Sequence, residues 1–406
     1  MENFDYQRRT FMMFGRAREN EVGSQVKIEG GRRVLLHYGV EALDKPDLLD
    51  RIRRSLDRAG LEIFDLKFED ENEPSLDSIY RGIAFCRQHH IDTIVAIGRS
   101  NVINSGKVLS VGAIYNGDVL DFFVGTRDPA HSLALGALVT TPDAGAECSP
   151  VCTIVQIRDG ISRKFTRSSP QFLPRFAILN PELSLSTSRD DTLLGSMDMI
   201  THVIECYFTN TQNVQITDEL CEGLLRTILR ILPQILEEPN NIEARGNLML
   251  AGTLAQNGMC SLGREPDFAL HALESALNAV YGTSHGGGLA VLIPAWLTYC
   301  LPANIMRMAQ FANRVFGIPM NFDDPESTAR SGINALRNFF SDCGLPQNFI
   351  DMGIPVVDVS RLVAELNLSE SNSLGCYVNL DAYACESIYT IAYTWRPGQE
   401  VRRLGI

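Results

Sequence analysis

The sequence predicts an α/β N-terminal domain followed by an all-α C-terminal domain, and three observations carry that expectation. Short β-rich runs alternate with helical ones through the first half, two of these runs break at a glycine, and after Asn180-Pro181 long helical patterns take over. An apolar run ending in glycine is the mark of a buried parallel strand. Strand alternating with helix implies right-handed βαβ units and a doubly wound sheet. A chain of 406 residues has material for two or three domains. The change of texture places the boundary between domains 1–185 and 186–406.

Each element has a local reason. Arg33 to Gly39 reads as a strand broken by its glycine, and Leu49, Ile52 and Leu56 recur at helical spacing within 49–59. Ile63 to Phe68 is a second strand, Leu76 to His89 a second helix, and Thr93 to Gly98 a third strand, an apolar run ending in glycine. Further β-rich runs are Gly136 to Thr141, Val151 to Ile157 and Phe176 to Leu179. Helical patterns then cover 192–208, 217–236, 242–258, 303–315 and 329–343, separated by Pro, Gly and Asn.

Composition narrows the partners. Hydrophobic residues at 45% and charged residues at 21% are those of a globular protein. A net charge of -13 repels phosphate backbones and anionic lipid, so neither nucleic acid nor a membrane surface is expected. The N-terminus, Met1-Glu2-Asn3-Phe4-Asp5, lacks the apolar core of a signal peptide. The longest apolar stretch, Leu289 to Leu301, is too short to span a bilayer and contains Pro294. Ten cysteines without a CxxC pair read as reduced thiols in a cytoplasmic protein.

Four residues stand out as ligands for one divalent metal ion. Asp198 and His202 are four apart in a helical pattern, which puts carboxylate and imidazole on one face. His271 lies in another helical stretch, and His285 follows in Thr283-Ser284-His285-Gly286-Gly287-Gly288. The glycines there suit either close backbone approach to a ligand or the opening of a helix. Taken singly each residue has an ordinary alternative: a surface ion pair for Asp198 and His202, a core histidine for His271, a loop residue or cap for His285.

Together, in this order and spacing, these residues resemble the iron-containing alcohol dehydrogenases, in particular the butanol-dehydrogenase-like branch. The family's DxxxHxxE appears as Asp198, His202 and Glu205, and its later metal histidines as His271 and His285. Gly117-Asp118-Val119-Leu120-Asp121-Phe122-Phe123 resembles a GDxxDFF stretch, and Leu173 to Leu183 an LPxxAIxDPEL segment. The resemblance implies a Rossmann-like dinucleotide domain and a helical metal-binding domain in a dehydroquinate synthase-like architecture, with metal and nicotinamide in the cleft between. It also implies Fe²⁺ or Zn²⁺, NAD or NADP, a small alcohol or aldehyde as substrate, and a homo-oligomer such as a dimer. Three imidazoles and a carboxylate suit either metal.

The cofactor motifs depart from the family pattern. GGGSxxDxxK reads Gly98-Arg99-Ser100-Asn101-Val102-Ile103-Asn104-Ser105-Gly106-Lys107. Of these, Gly98, Arg99, Ser100, Asn101 and Lys107 are the candidate cofactor contacts, with Arg99 either blocking the pyrophosphate or clamping it. TxPATGSE reads Thr140-Thr141-Pro142-Asp143-Ala144-Gly145-Ala146-Glu147, leaving Thr140 and Thr141 as candidates. The turn after the first strand reads Gly39-Val40-Glu41-Ala42, where Gly39 and Glu41 would meet the cofactor and Glu41 would disfavour a 2′-phosphate. The catalytic-position histidine of the family, four residues after its third metal ligand, is Ser275 here.

The leading expectation is a metal-dependent dehydrogenase or aldehyde reductase that moves hydride between a nicotinamide and a small alcohol or aldehyde. The alternative is a metal-binding relative whose dinucleotide site has eroded, acting in binding, regulation or non-redox chemistry. A glycerol dehydrogenase or sugar-ring synthase of the same fold fits the motif blocks less well.

Overall fold

The computed structural model describes residues 1–70, 73–143, 145–158, 161–368 and 372–396. The chain divides into two compact units. One comprises Tyr6–Ser188 with Asn240–Asn257, the other Met1–Asp5, Arg189–Pro239 and residues from Gly258 onward.

The first unit contains strands β1 (Phe11–Phe14), β2 (Arg33–Tyr38), β3 (Glu62–Lys67), β4 (Thr93–Gly98), β5 (Ala134–Val139), β6 (Val151–Arg158), β7 (Ile161–Ser168) and β8 (Phe176–Leu179). Six form a parallel sheet in the order β1-β8-β5-β4-β2-β3, while β6 and β7 pair as a separate antiparallel hairpin. The helices are α1 (Val22–Ile28), α2 (Val40–Leu43), α3 (Leu48–Arg58), α4 (Leu76–Gln88), α5 (Ser100–Gly112) and α6 (Leu120–Phe123).

Strand side chains alternate between faces, so the sheet feeds two cores. Val34, Leu36, Val95 and Ile97 pack with Val26, Ile52 and Leu56 of α1 and α3. Leu35, Ile94 and Ala96 pack with Ile79, Ile83, Ile103 and Leu109 of α4 and α5. β4 is buried on both faces, which is why its sequence is an unbroken apolar run. Each of Ile94, Val95 and Ile97 contributes about 1.5–3 kcal/mol by leaving water. This is the doubly wound arrangement expected from the sequence.

The strand order reverses between β2 and β4. β2 leads outward to β3, and the chain then returns to the other side of β2. Open parallel sheets bind ligands beyond the carboxyl ends of the strands at such a reversal. Here those ends run into Gly39 and Arg99.

The second unit is helical. It begins with α7 (Arg189–Tyr207) and α8 (Gln215–Glu237). The next helix, α9 (Ile242–Gln256), expected among the residues of 186–406, instead packs with the α/β unit. Its Met249 joins the core of α4 and α5, and its Thr253 hydroxyl donates to the buried Glu147 carboxylate. The helical unit resumes with α10 (Ala269–Tyr281), α11 (His285–Cys300), α12 (Ile305–Phe316), α13 (Pro325–Cys343), α14 (Val359–Glu365) and α15 (Ala382–Thr394).

From Gly286 to Leu297 α11 is apolar and buried on all sides, and it runs through Pro294, because such a helix is held by packing rather than by intrinsic preference. Among the described residues it supplies the one helix long and apolar enough to cross a membrane, and 78% of that window is buried inside the protein. That degree of enclosure marks a core helix. The glycines after His285 form its first turn rather than a flexible loop. A Cβ on Gly286 would lie 2.3 Å from the Leu194 carbonyl oxygen of α7, so only glycine lets the two backbones approach.

Candidate metal centre and cofactor turn

α7 brings Asp198, His202 and Glu205 to one face, since offsets of four and seven return to the same side of a helix. α10 starts just beyond Asp267, whose carboxylate accepts the Ala269 N–H, and it carries His271 in its first turn. α11 opens at His285. The three helices converge on Asp198. Its Oδ1 lies 3.3 Å from His202 Nε2, 3.2 Å from His271 Nε2 and 3.5 Å from His285 Nε2. One ligand atom each from Asp198, His202 and His271 fall within 4.8 Å of one another, close enough to share an ion. All four sequence-derived candidates thus meet in the helical unit.

Two further carboxylates stand behind the ring. Glu205 is fully buried and grips His271 twice, accepting the backbone N–H at 3.1 Å and Nδ1 at 2.5 Å. Glu274, 1% exposed, accepts from His285 Nδ1. A carboxylate only accepts, so both rings carry hydrogen on Nδ1 and turn Nε2 toward Asp198. The family motif flagged Glu205. Glu274 was missed, although its place three residues after His271, on the buried side among Leu273, Ala276 and Leu277, was a visible signal.

The charges of the site are coupled. Burial pushes the Asp198 carboxyl up, but the field of His202 and hydrogen bonds from His271 and His285 outweigh it and hold the group well below the usual carboxylate range. Burial lowers His271 and His285. Glu205 and Asp198 more than reverse this for His271, which rises to about 9, and Glu274 and Asp198 do so for His285, which rises to about 10. Burial, with His271 nearby, takes His202 down to about 4. Three carboxylates therefore call for positive charge between them. Three imidazole nitrogens and one carboxylate oxygen make a donor set that fits Fe²⁺ or Zn²⁺.

Ser275 follows His271 by four residues on α10 and is half-buried. That spacing keeps it on the metal-facing side of the helix.

The cofactor candidates gather in the α/β unit at the reversal of strand order. Gly39 N–H donates to the Ile97 carbonyl at 3.1 Å, and Thr140 N–H to the Gly98 carbonyl at 3.2 Å. Arg99 N–H donates to Glu41 Oε1 at 3.1 Å. Cβ atoms on Gly39 and Gly98 would lie 2.6 and 3.3 Å from the Glu41 carboxylate, so both glycines face it. Arg99 has φ -81° and ψ -179°, ordinary extended backbone that needs no glycine. Ser100 opens α5, and the Asn101 side chain accepts the Val102 N–H at 2.8 Å.

Lys107 and Thr140 are fully buried, and Thr141 is 5% exposed, so their side chains do not line the protein surface. The Lys107 ammonium donates to the Val151 carbonyl at 2.7 Å, and burial brings it down to about 8. Ala144 lies outside the described residues.

Known proteins resemble this chain over most of its length. Residues 10–181 match the family described as iron-containing alcohol dehydrogenase, and residues 192–393 match its C-terminal part. A probable NADH-dependent butanol dehydrogenase of Bacillus subtilis strain 168 is 33% identical over 87% of this chain and 90% of its own. An NADPH-dependent aldehyde reductase of Escherichia coli strain K12 is 27% identical over 92% and 95%. The crystal structure of NADH-dependent butanol dehydrogenase A from Thermotoga maritima superposes with a TM-score of 0.90 at 29% identity, covering 97% of this chain and 99% of that one. The chain belongs to the iron-containing alcohol dehydrogenase family. It is a metal-dependent alcohol/aldehyde oxidoreductase, of a kind that works with a nicotinamide cofactor.

Proposed function

We propose that this protein interconverts a short alcohol and its aldehyde, with NAD as partner and one Fe²⁺ or Zn²⁺ held by Asp198, His202, His271 and His285. The observation that carries the reading is the convergence of three Nε2 atoms on Asp198 Oδ1 within 3.5 Å, in a donor set suited to a divalent ion. When bound, the metal supplies Lewis acidity to the substrate oxygen and the nicotinamide takes or gives the hydride.

In this reading Glu205 and Glu274 fix the ring orientations, and Ser275 passes the alcohol proton toward solvent. Gly39, Gly98, Arg99, Ser100 and Asn101 hold the dinucleotide at the strand reversal. Lys107, Thr140 and Thr141 support that turn from inside. Self-association belongs to the same reading. β1 ends the sheet with Phe11, Met12 and Phe14 all exposed, an apolar edge suited to a second copy.

The test is oxidation of NADH by a panel of short aldehydes, using protein loaded with Fe²⁺ or Zn²⁺. Turnover that disappears on chelation and in His202→Ala is the expected result. No turnover with any aldehyde, in protein verified to carry metal, would overturn the assignment.

A further inference from the structure

We infer that Glu274 is a positioning residue of the metal centre, which holds His285 in its ligating orientation and strengthens its grip on the ion. This rests on the metal reading given above. A lone buried carboxylate costs several kcal/mol unless something compensates it. Glu274 is 1% exposed, yet among the described residues its only hydrogen bond is to His285 Nδ1, and its Oε1 has no partner.

The surroundings are shaped to keep it there. Gly288, in the first turn of α11, faces it, and a Cβ at that position would lie 2.9 Å from Glu274 Cγ and 3.2 Å from Oε1. Leu277 closes the same space. The carbonyl of Leu273, its neighbour on α10, accepts the hydroxyl of Tyr389 from α15. Gly288 and Leu277 pack close against the Glu274 side chain, and neither gives its carboxylate a hydrogen-bond partner.

Its chemical effect is on the far nitrogen. Accepting from Nδ1 fixes the tautomer with a free Nε2 pair and makes that pair more basic. Glu205 does the same for His271 and also accepts that residue's backbone N–H. His285 has no such second tie from Glu274, and its side chain is 36% exposed, so Glu274 is what holds its Nδ1 while Nε2 faces Asp198.

The experiment measures Zn²⁺ affinity by chelator competition in the full chain for Glu274→Gln, Glu274→Ala and Gly288→Ala, with the visible spectrum of Co²⁺-loaded protein as a second readout. Loss of a partner behind a metal-bound histidine costs roughly 10–100-fold in affinity. The expected order is unmodified, then Gln, whose carbonyl still accepts from Nδ1, then Ala. Gly288→Ala should fall with them, and the Co²⁺ bands should shift in all three. A merely structural role would lower the unfolding midpoint of metal-free protein without this order or this shift. Zn²⁺ affinity within twofold of the unmodified chain in Gln and Gly288→Ala, with unchanged Co²⁺ bands, overturns the inference even if the alanine variant fails to fold. If the unmodified chain binds no Zn²⁺, the metal reading itself is wrong, a result distinct from failure of the Glu274 role alone.

Discussion

Glu41 Oε1 accepts the backbone N–H of Arg99, 3.1 Å away, across the carboxyl ends of β2 and β4. The residue just before α5 thus offers its amide to an internal carboxylate, and a helix N-terminus favours such a negative group. A ligand phosphate arriving at this turn meets a charge of its own sign.

NAD should therefore bind more tightly than NADP, because a 2′-phosphate adds a dianion near Glu41 while a ribose hydroxyl can donate to it. Glu41→Gln removes the repulsion and should narrow the preference by roughly tenfold, about 1.4 kcal/mol. Fluorescence titration with NADH and NADPH measures both. Tighter NADPH than NADH binding by the unmodified chain would contradict the idea.

The altered turn and Ser275 predict a slow enzyme with weak cofactor affinity. Arg99→Gly with Ser100→Gly should lower the cofactor KM, since each phosphate hydrogen bond regained is worth ~1 kcal/mol. The gain is not relief of strain, because Arg99 already has ordinary backbone angles. Ser275→His should act on kcat instead, where a general acid or base is worth ~10²–10⁴. Ordinary KM and kcat in the unmodified chain, with no improvement in either variant, would show the turn to be sufficient as it stands.

About one divalent ion per chain is expected by elemental analysis of metal-loaded protein. His271→Ala and His285→Ala each remove a ligand and leave a carboxylate, Glu205 or Glu274, buried without its imidazole. Each should weaken metal binding on the order of 2–4 kcal/mol. Unchanged metal content in both variants after dialysis against a chelator would rule out these ligands.

Acid sensitivity has a source away from the metal. His37 is 3% exposed, its Nδ1 donating to the Leu66 carbonyl at 3.0 Å and its Nε2 accepting from Ser105 at 2.8 Å. Burial lowers it from 6.5 to about 4. Below pH 6.5 the unfolded chain takes up a proton that the folded one refuses. The stabilisation is whole above pH 6.5 and is lost as pH falls toward 4, on the order of 3 kcal/mol. Urea unfolding of His37→Gln should lack this component. A constant stability difference between the two proteins from pH 7 to 4 would refute the assignment.

The sequence made some parts of this molecule plain for physical reasons. β4 had to be apolar on both faces, and Asp198 and His202 had to share a helix face. β1 was not foreseen, because Phe11, Met12 and Phe14 stay exposed and its register is set by β8 rather than by its own alternation. β7 was missed as well: Ile161-Ser162-Arg163-Lys164-Phe165-Thr166-Arg167-Ser168 is mostly polar and becomes a strand by pairing with β6. The helicity of α9 was legible, but not its allegiance, since an apolar stripe does not say which core it will meet. Glu274 hid for the same reason. Its apolar neighbours Leu273, Ala276 and Leu277 signalled that it is buried, but not its partner, which depends on α10 meeting α11.

That allegiance of α9 governs the order in which the protein can be made. A nascent chain emerging from the ribosome has every strand of the sheet by residue 179, yet Met249 and Thr253, which close the α4 and α5 side and answer the Glu147 carboxylate, come only after α7 and α8. The α/β unit must wait with an open face while the first two helices of its neighbour are synthesised. A chain ended after Ser188 would carry that exposed apolar face permanently. A protease cut within 208–214, between α7 and α8, would instead leave two fragments that each hold part of the α/β core, and they should stay together until denatured.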